Sequence, residues 1–188
     1  MNDTYSNPAP LGLLAFGMTT VLLNIHNAGF YGMNSMILAM GIFYGGIAQV
    51  IAGSMEFKKK NTFGTLAFTS YGFFWLSLVA MILLPKFGIA EATDSTAKSA
   101  YLAVWGIFTA LLFIGTIKTN IATMVIFGSL TILFALLSIG DALENSLLIK
   151  IAGYEGIFCG LSAIYTGMAQ VLNEMYNKTI FPLGAMKK

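Results

Sequence analysis

IATMVIFGSLTILFALLSI, residues 121–139, contains no charged side chain. About 20 apolar residues in a row are what a helix needs to cross a bilayer's hydrocarbon core. Backbone groups in lipid must be paired internally, which leaves helices or a closed barrel. Barrel strands alternate polar and apolar residues, and this run does not. It reads as a membrane-spanning helix.

The rest of the chain repeats the pattern. Ten lysines, no arginine and eight acidic residues are spread over 188 positions, with 57% hydrophobic residues and a mean hydropathy of +0.78. Soluble domains carry about a quarter charged residues. Five more apolar runs are predicted as helices: Leu11–Gly29, Asn34–Met55, Thr62–Leu84, Ser99–Ile117 and Leu147–Leu172. The expected fold is all-α, a single polytopic transmembrane domain over residues 1–188, with a short polar segment at 1–10. No room remains for a soluble domain with its own activity. Pro85 is expected to stop the third helix, because proline lacks the next amide donor. Gly140 is a plausible C-terminal cap for the fifth. The first ten residues lack the basic and apolar regions of a cleaved signal peptide, so the first helix is expected to stay in the membrane.

Lysine placement predicts orientation. With the N-terminus inside, the inner segments hold Lys58, Lys59, Lys60, Lys118, Lys178, Lys187 and Lys188, and the outer ones hold Lys86, Lys98 and Lys150. The positive-inside rule then favours N-in and C-in, with Asp141 and Glu144 outside.

A weak repeat runs through the helices. Gly-Ile-Phe recurs at residues 41–43, 106–108 and 156–158, and Asn7, Asn61 and Asn120 precede or open the odd-numbered helices. Three hairpin copies would follow, with solute sites where the copies meet near the bilayer midplane. Gly41-x3-Gly45 and Gly156-x3-Gly160 carry the spacing that lets helix backbones approach closely.

Enzyme chemistry is not expected. A single histidine, His26, and a single cysteine, Cys159, exclude a two-histidine or cysteine-cluster metal site, and no phosphate-binding glycine loop is present. No cofactor is implied, and a net charge of +2 gives no case for nucleic acid. The N-terminal segment is more informative. Pro8 and Pro10 fix the backbone ahead of the first helix, and Asn7 can cap it. Such a helix end is positive in dipole and suits an anion, though it reads equally as a well-capped membrane helix.

Asn7-Pro8-Ala9-Pro10-Leu11-Gly12-Leu13 is followed by Phe16-Gly17-x-Thr19, Ala28-Gly29, Gly41-Ile42-Phe43-Tyr44-Gly45-Gly46 through Gln49, and Asn61-Thr62-Phe63-Gly64 to Ser70-Tyr71-Gly72. Together these strings closely resemble the acetate uptake transporter family, nearest its bacterial succinate–acetate permeases, over essentially the whole chain. The resemblance implies a six-helix inner-membrane protein, assembled as a hexamer with a pathway in each protomer. It implies transport of acetate and succinate, as proton symport or as channel-like flow. It also implies a constriction at Phe16, Tyr71 and Leu130. Their spacing is consistent with this, since ten residues past Asn61 or Asn120 reach about 15 Å along a helix, half of a core of about 30 Å.

A bare carboxylate in such a neck needs donors, and no helix has a lysine at its middle. The candidates for holding substrate are Asn7, Thr19, Thr20, Gln49, Asn61, Ser70 and Asn120, with the Tyr71 hydroxyl. Neutral donors let the anion leave again, which throughput requires. Gln49 could line the pathway or bond helices together. His26 could shuttle protons or serve as an interfacial hydrogen bonder. Glu155 is a proton-coupling candidate as an acid within a membrane helix, or a solvated residue near the outer end. Besides acetate, succinate, protons and lipid, two other readings stand: a channel for small neutral solutes, and a non-conducting membrane scaffold or sensor.

Overall fold

The computed structural model describes residues 6–185. Lys187, Lys188 and the start of the polar N-terminal segment lie outside them. Six helices are long and apolar enough to cross a membrane: α1 (Ala9–Asn27), α2 (Ser35–Lys58), α3 (Thr62–Lys86), α4 (Ser95–Thr116), α5 (Ile121–Ala142) and α6 (Ser146–Met175). The predicted runs match these, with ends that differ by a few residues.

The ends follow from local chemistry. Side chains of Asn34, Asn61, Asp94, Asn120 and Asn145 accept from the first amides of α2 to α6, which removes orphan donors of the first turn. Asp94 explains why α4 begins four residues before the predicted Ser99. The exception is α1. Its cap position is Pro8, with no side-chain cap bond. Asn7, one residue earlier, takes the first amide of the helix, although Pro10 has no N–H to offer it a second. Its Oδ1 accepts from Ala9 N at 3.3 Å and from Lys59 Nζ at 3.2 Å.

Two predicted stops also move. The helix α3 passes Pro85 and closes at Lys86, with Gly88 at φ 67° behind it. A proline in a final turn removes one bond without ending the helix. Gly140 does not cap α5. Glu144 takes the left-handed position at φ 47°, and Asn145 N returns to Gly140 O at 2.8 Å, the bond pattern of a Schellman turn.

Packing closes the six helices into a ring. The helix α1 lies against α2 and, most extensively, α6; α2 also packs on α3, and α5 on both α4 and α6. Side chains join α3 to α4, through Tyr71 Oη and Thr109 Oγ1 at 2.8 Å and through Ser77 Oγ and Tyr101 Oη at 2.7 Å. The α1–α6 seam is the tightest. A Cβ at Gly17 would meet Gly160 O at 2.7 Å, and one at Gly160 would meet Gly17 O at 2.7 Å. A backbone carbonyl cannot step aside as a side chain can. Gly160→Leu is expected to destabilise the protein by at least about 3 kcal/mol, the upper range for overpacking. Thermal unfolding in detergent checks this against Leu161→Ala on the exposed face. An unchanged melting temperature for the glycine variant would refute the seam.

The outer surface is apolar. Val104, Ile107, Leu111 and Ile114, at helical spacing on α4, are all exposed, as a lipid-facing stripe requires. The three Gly-Ile-Phe copies do not present one common face. Phe43 and Phe158 point outward, whereas Phe108 packs inward on Tyr71 and Trp105. The middle of α2, Gly41–Ala48, is π-helical, a feature found often at functional sites.

Past α6 the chain folds back over its own end. Leu183 and Gly184 carbonyls accept from Ala122 N and Ile121 N at 3.0 and 2.9 Å. Those amides of α5 are thus occupied by protein.

Candidate functional site

Three stripes, spaced by three, four or, once on α5, seven residues, face the centre of the ring. On α1 they run Leu13, Phe16, Thr20, Leu23 and Asn27; on α3, Ala67, Tyr71, Phe74, Leu78 and Ile82; on α5, Ile126, Leu130, Leu137 and Asp141. All three helices are odd-numbered, and the even-numbered ones add Gln49 from α2, Lys98 and Leu102 from α4 and Ile149 from α6.

The stripes converge at Phe16, Tyr71 and Leu130, all buried in one apolar cluster. The Phe16 and Tyr71 rings lie 5.9 Å apart, centre to centre. Trp105, Phe108 and Phe127 surround Tyr71 at 6.1, 5.8 and 6.1 Å. Its hydroxyl is held by Thr109, which itself donates to Trp105 O at 2.7 Å. Tyr71 therefore offers its ring, not a free hydroxyl, to the neck. The space left beside the three side chains is about 20 Å³, enough for roughly one water molecule. The neck is closed to an organic acid in this conformation.

Gln49 lines that same space. It is 1% exposed, and neither its Oε1 nor its Nε2 has a hydrogen-bond partner. Buried amides are otherwise almost always paired. Gln49 is the first residue after the π-helical stretch. Thr20, one turn from Phe16 on the same stripe, is also buried with an unpartnered Oγ1. Two neutral polar groups thus stand without partners, Gln49 beside the three side chains and Thr20 one turn further along α1.

On one side of the neck the ring opens into a vestibule of about 430 Å³. Leu23, Phe74 and Leu78 form its inner wall, and His26, Lys86, Lys98 and Asp141 stand in its outer part. Lys98 Nζ bonds Asp141 Oδ1 at 3.0 Å. His26 Nδ1 meets Tyr31 O at 2.8 Å. At the opposite end of the bundle, Asn7 Nδ2 donates to Gln170 Oε1 at 3.0 Å beside Lys59.

The structure thus brings Phe16, Tyr71, Leu130 and Gln49 together, with Thr20 buried one turn from Phe16, and separates the other candidates from them. Thr19 faces α2, where its hydroxyl reaches Met40 O at 3.5 Å. Asn61 caps α3 and donates to Glu56 Oε2 at 2.7 Å. Asn120 caps α5 through Thr123. Ser70 is half-buried and does not line the neck. Glu155 is not a solvated residue at the outer end. It lies nine residues into α6, about 14 Å along the helix. There Ser129 Oγ donates to its Oε1, and its Oε2 is buried without a partner. Ser129 directly precedes Leu130, so this carboxyl sits at the depth of the neck.

Sequence reasoning counted Lys86, Lys98 and Asp141 only as loop charges. Extending the stripes of Tyr71 and Leu130 by whole turns would have found the vestibule.

The model of the GPR1/FUN34/yaaH family matches residues 1–187. The chain is 54% identical over 183 residues to the "Succinate-acetate/proton symporter SatP" of Escherichia coli K12, covering 97% of each. It is 36% identical over 175 residues to the "Ammonia transport outward protein 2" of Saccharomyces cerevisiae, covering 89% of this chain and 62% of that one. A solved structure described as the bacterial acetate channel SatP superposes with a TM-score of 0.95 at 54% identity, over 96% of this chain and all of the other.

Proposed function

The chain belongs to the GPR1/FUN34/yaaH family, and from that premise we propose that it carries acetate and succinate across the inner membrane, coupled to protons. The observation that carries the reading is the buried Gln49 amide, unpaired beside a one-water neck of Phe16, Tyr71 and Leu130. A carboxylate entering the neck loses water and needs donors. Gln49 Nε2 and Thr20 Oγ1 can supply them as neutral groups, which hold an anion briefly and release it. The acetate methyl meets the Phe16 ring and Leu130. The Glu155 carboxyl, bonded by the Ser129 hydroxyl next to Leu130 in the chain, is the proton-binding group of this reading.

The orientation is read as N-in and C-in. Three hairpins, α1–α2, α3–α4 and α5–α6, each lend one side chain to the neck. The assembly is read as a hexamer with a pathway in each protomer, which native mass spectrometry checks.

Purified protein in liposomes is expected to take up labelled acetate, and faster when the outside is made acidic. Uptake no greater than in empty vesicles would refute transport. Uptake indifferent to the proton gradient would refute the coupling and leave passive flow.

A further inference from the structure

We infer that the vestibule is a capture site for the carboxylate of the transported acid, in which Asp141 holds Lys98 as a counter-ion that the incoming carboxylate displaces. This rests on the transport reading above and deepens it.

The vestibule has the right size and sign. Its 430 Å³ falls within the range of roughly 300–1,000 Å³ typical of small-molecule sites, whereas the neck holds about one water. Its charged lining is Lys86, Lys98 and Asp141, two cations against one anion. A cleft with low-dielectric walls focuses such a field and concentrates ions of opposite sign. The walls toward the neck, Leu23, Phe74 and Leu78, suit the carbon chain of the same solute.

The ion pair is built to exchange. Its partners are unequal, Lys98 being 45% exposed and Asp141 13%. They meet through one oxygen only, and Asp141 Oδ2 is buried without a partner. An ammonium has three donors, and Asp141 takes one. A single-contact pair with its lysine half in water contributes little to stability. Lys98, half in water and with two of its three donors not taken by Asp141, can therefore turn to a solute carboxylate. Asp141 stays fixed on α5 and competes for the lysine again once the solute moves inward, so the cation does not retain its cargo.

Succinate and acetate uptake by K98M, D141N and K98M/D141N in liposomes tests this. D141N is expected to lower the KM for succinate about two- to fivefold, the scale of a partly exposed charge pair, with kcat nearly unchanged. K98M is expected to raise the KM by a similar factor and to flatten its dependence on salt. D141N should add nothing in the K98M background. A purely structural pair would behave otherwise, since losing either partner would shift KM and kcat in the same direction. That result, or an unmoved KM in both single variants, would overturn the inference. If D141N alone does not fold, the double variant, which leaves neither charge unpaired, still decides. Its KM should equal that of K98M, and both should exceed the wild-type value. Wild-type uptake with an unmoved KM sinks this inference alone, whereas absent wild-type uptake sinks the transport reading.

Discussion

Alanine at Phe16 is expected to admit carboxylic acids bulkier than acetate, raising their uptake relative to acetate about tenfold, or roughly 1.4 kcal/mol of barrier. The ring closes the space beside Tyr71 and Leu130, and about 20 Å³ remains. Of the three side chains it is the one whose removal leaves the scaffold most nearly intact. Tyr71 is fastened to Thr109 and boxed by Trp105, Phe108 and Phe127. Its loss would remove one of the side-chain bonds that join α3 to α4 and leave Ser77–Tyr101. Leu130 adjoins Ser129 and its bond to Glu155. Phe16 packs on the Tyr71 ring within the apolar cluster and anchors no hydrogen bond. Truncating a buried phenylalanine typically costs about 3–5 kcal/mol, so the variant must be shown to be folded by its melting curve. The measurement is the ratio of butyrate or benzoate uptake to acetate uptake in liposomes. An unchanged ratio in a folded F16A protein would remove Phe16 from the constriction.

The six spans were legible because lipid imposes one rule on every residue of a run, and Ile121–Ile139 obeys it without exception. Helix starts were legible where an asparagine precedes a run, as at Asn61 and Asn120. Asn7 does the same for α1 one residue further out, through Ala9 N alone, because Pro10 has no amide to add. Phe16, Tyr71 and Leu130 came from the family motif, and spacing alone supported only equal depth. What stayed hidden depends on rotation about helix axes. Asp141 and Lys98 are loop charges in a linear reading and face one cavity in the ring. The depth of Glu155 was legible, since α6 begins one residue before the predicted Leu147, but its turn toward Ser129 was not. No local propensity marks the π-helical turn at Gly41–Ala48, which precedes Gln49. The backbone there is held by tertiary contacts, such as Gly46 O facing Gly72.

Leucine at Gln49 is expected to move stability and transport in opposite directions. In a residue kept for folding, loss of a buried polar side chain destabilises the protein through its orphaned partners. Gln49 has none to orphan, since both ends of its amide are unpaired in a site 1% exposed. An unsatisfied buried amide costs about 1–3 kcal/mol. Leucine, similar in size and apolar, relieves that cost and suits the neighbours Leu13, Phe68 and Ile126. The melting temperature should hold or rise. Transport should fall, because the solute carboxylate then passes the narrowest point with one donor fewer. A charged group that loses a hydrogen bond there forfeits about 1.5–3 kcal/mol, which is roughly 10- to 150-fold in rate. Asparagine at the same position keeps the amide but withdraws it, and should fall between the two. A protein that gains stability while losing flux has given up a group maintained for its solute. Q49L that unfolds early would show that the amide bonds helices together, and Q49L that transports at the full rate would show that the carboxylate crosses the neck without it.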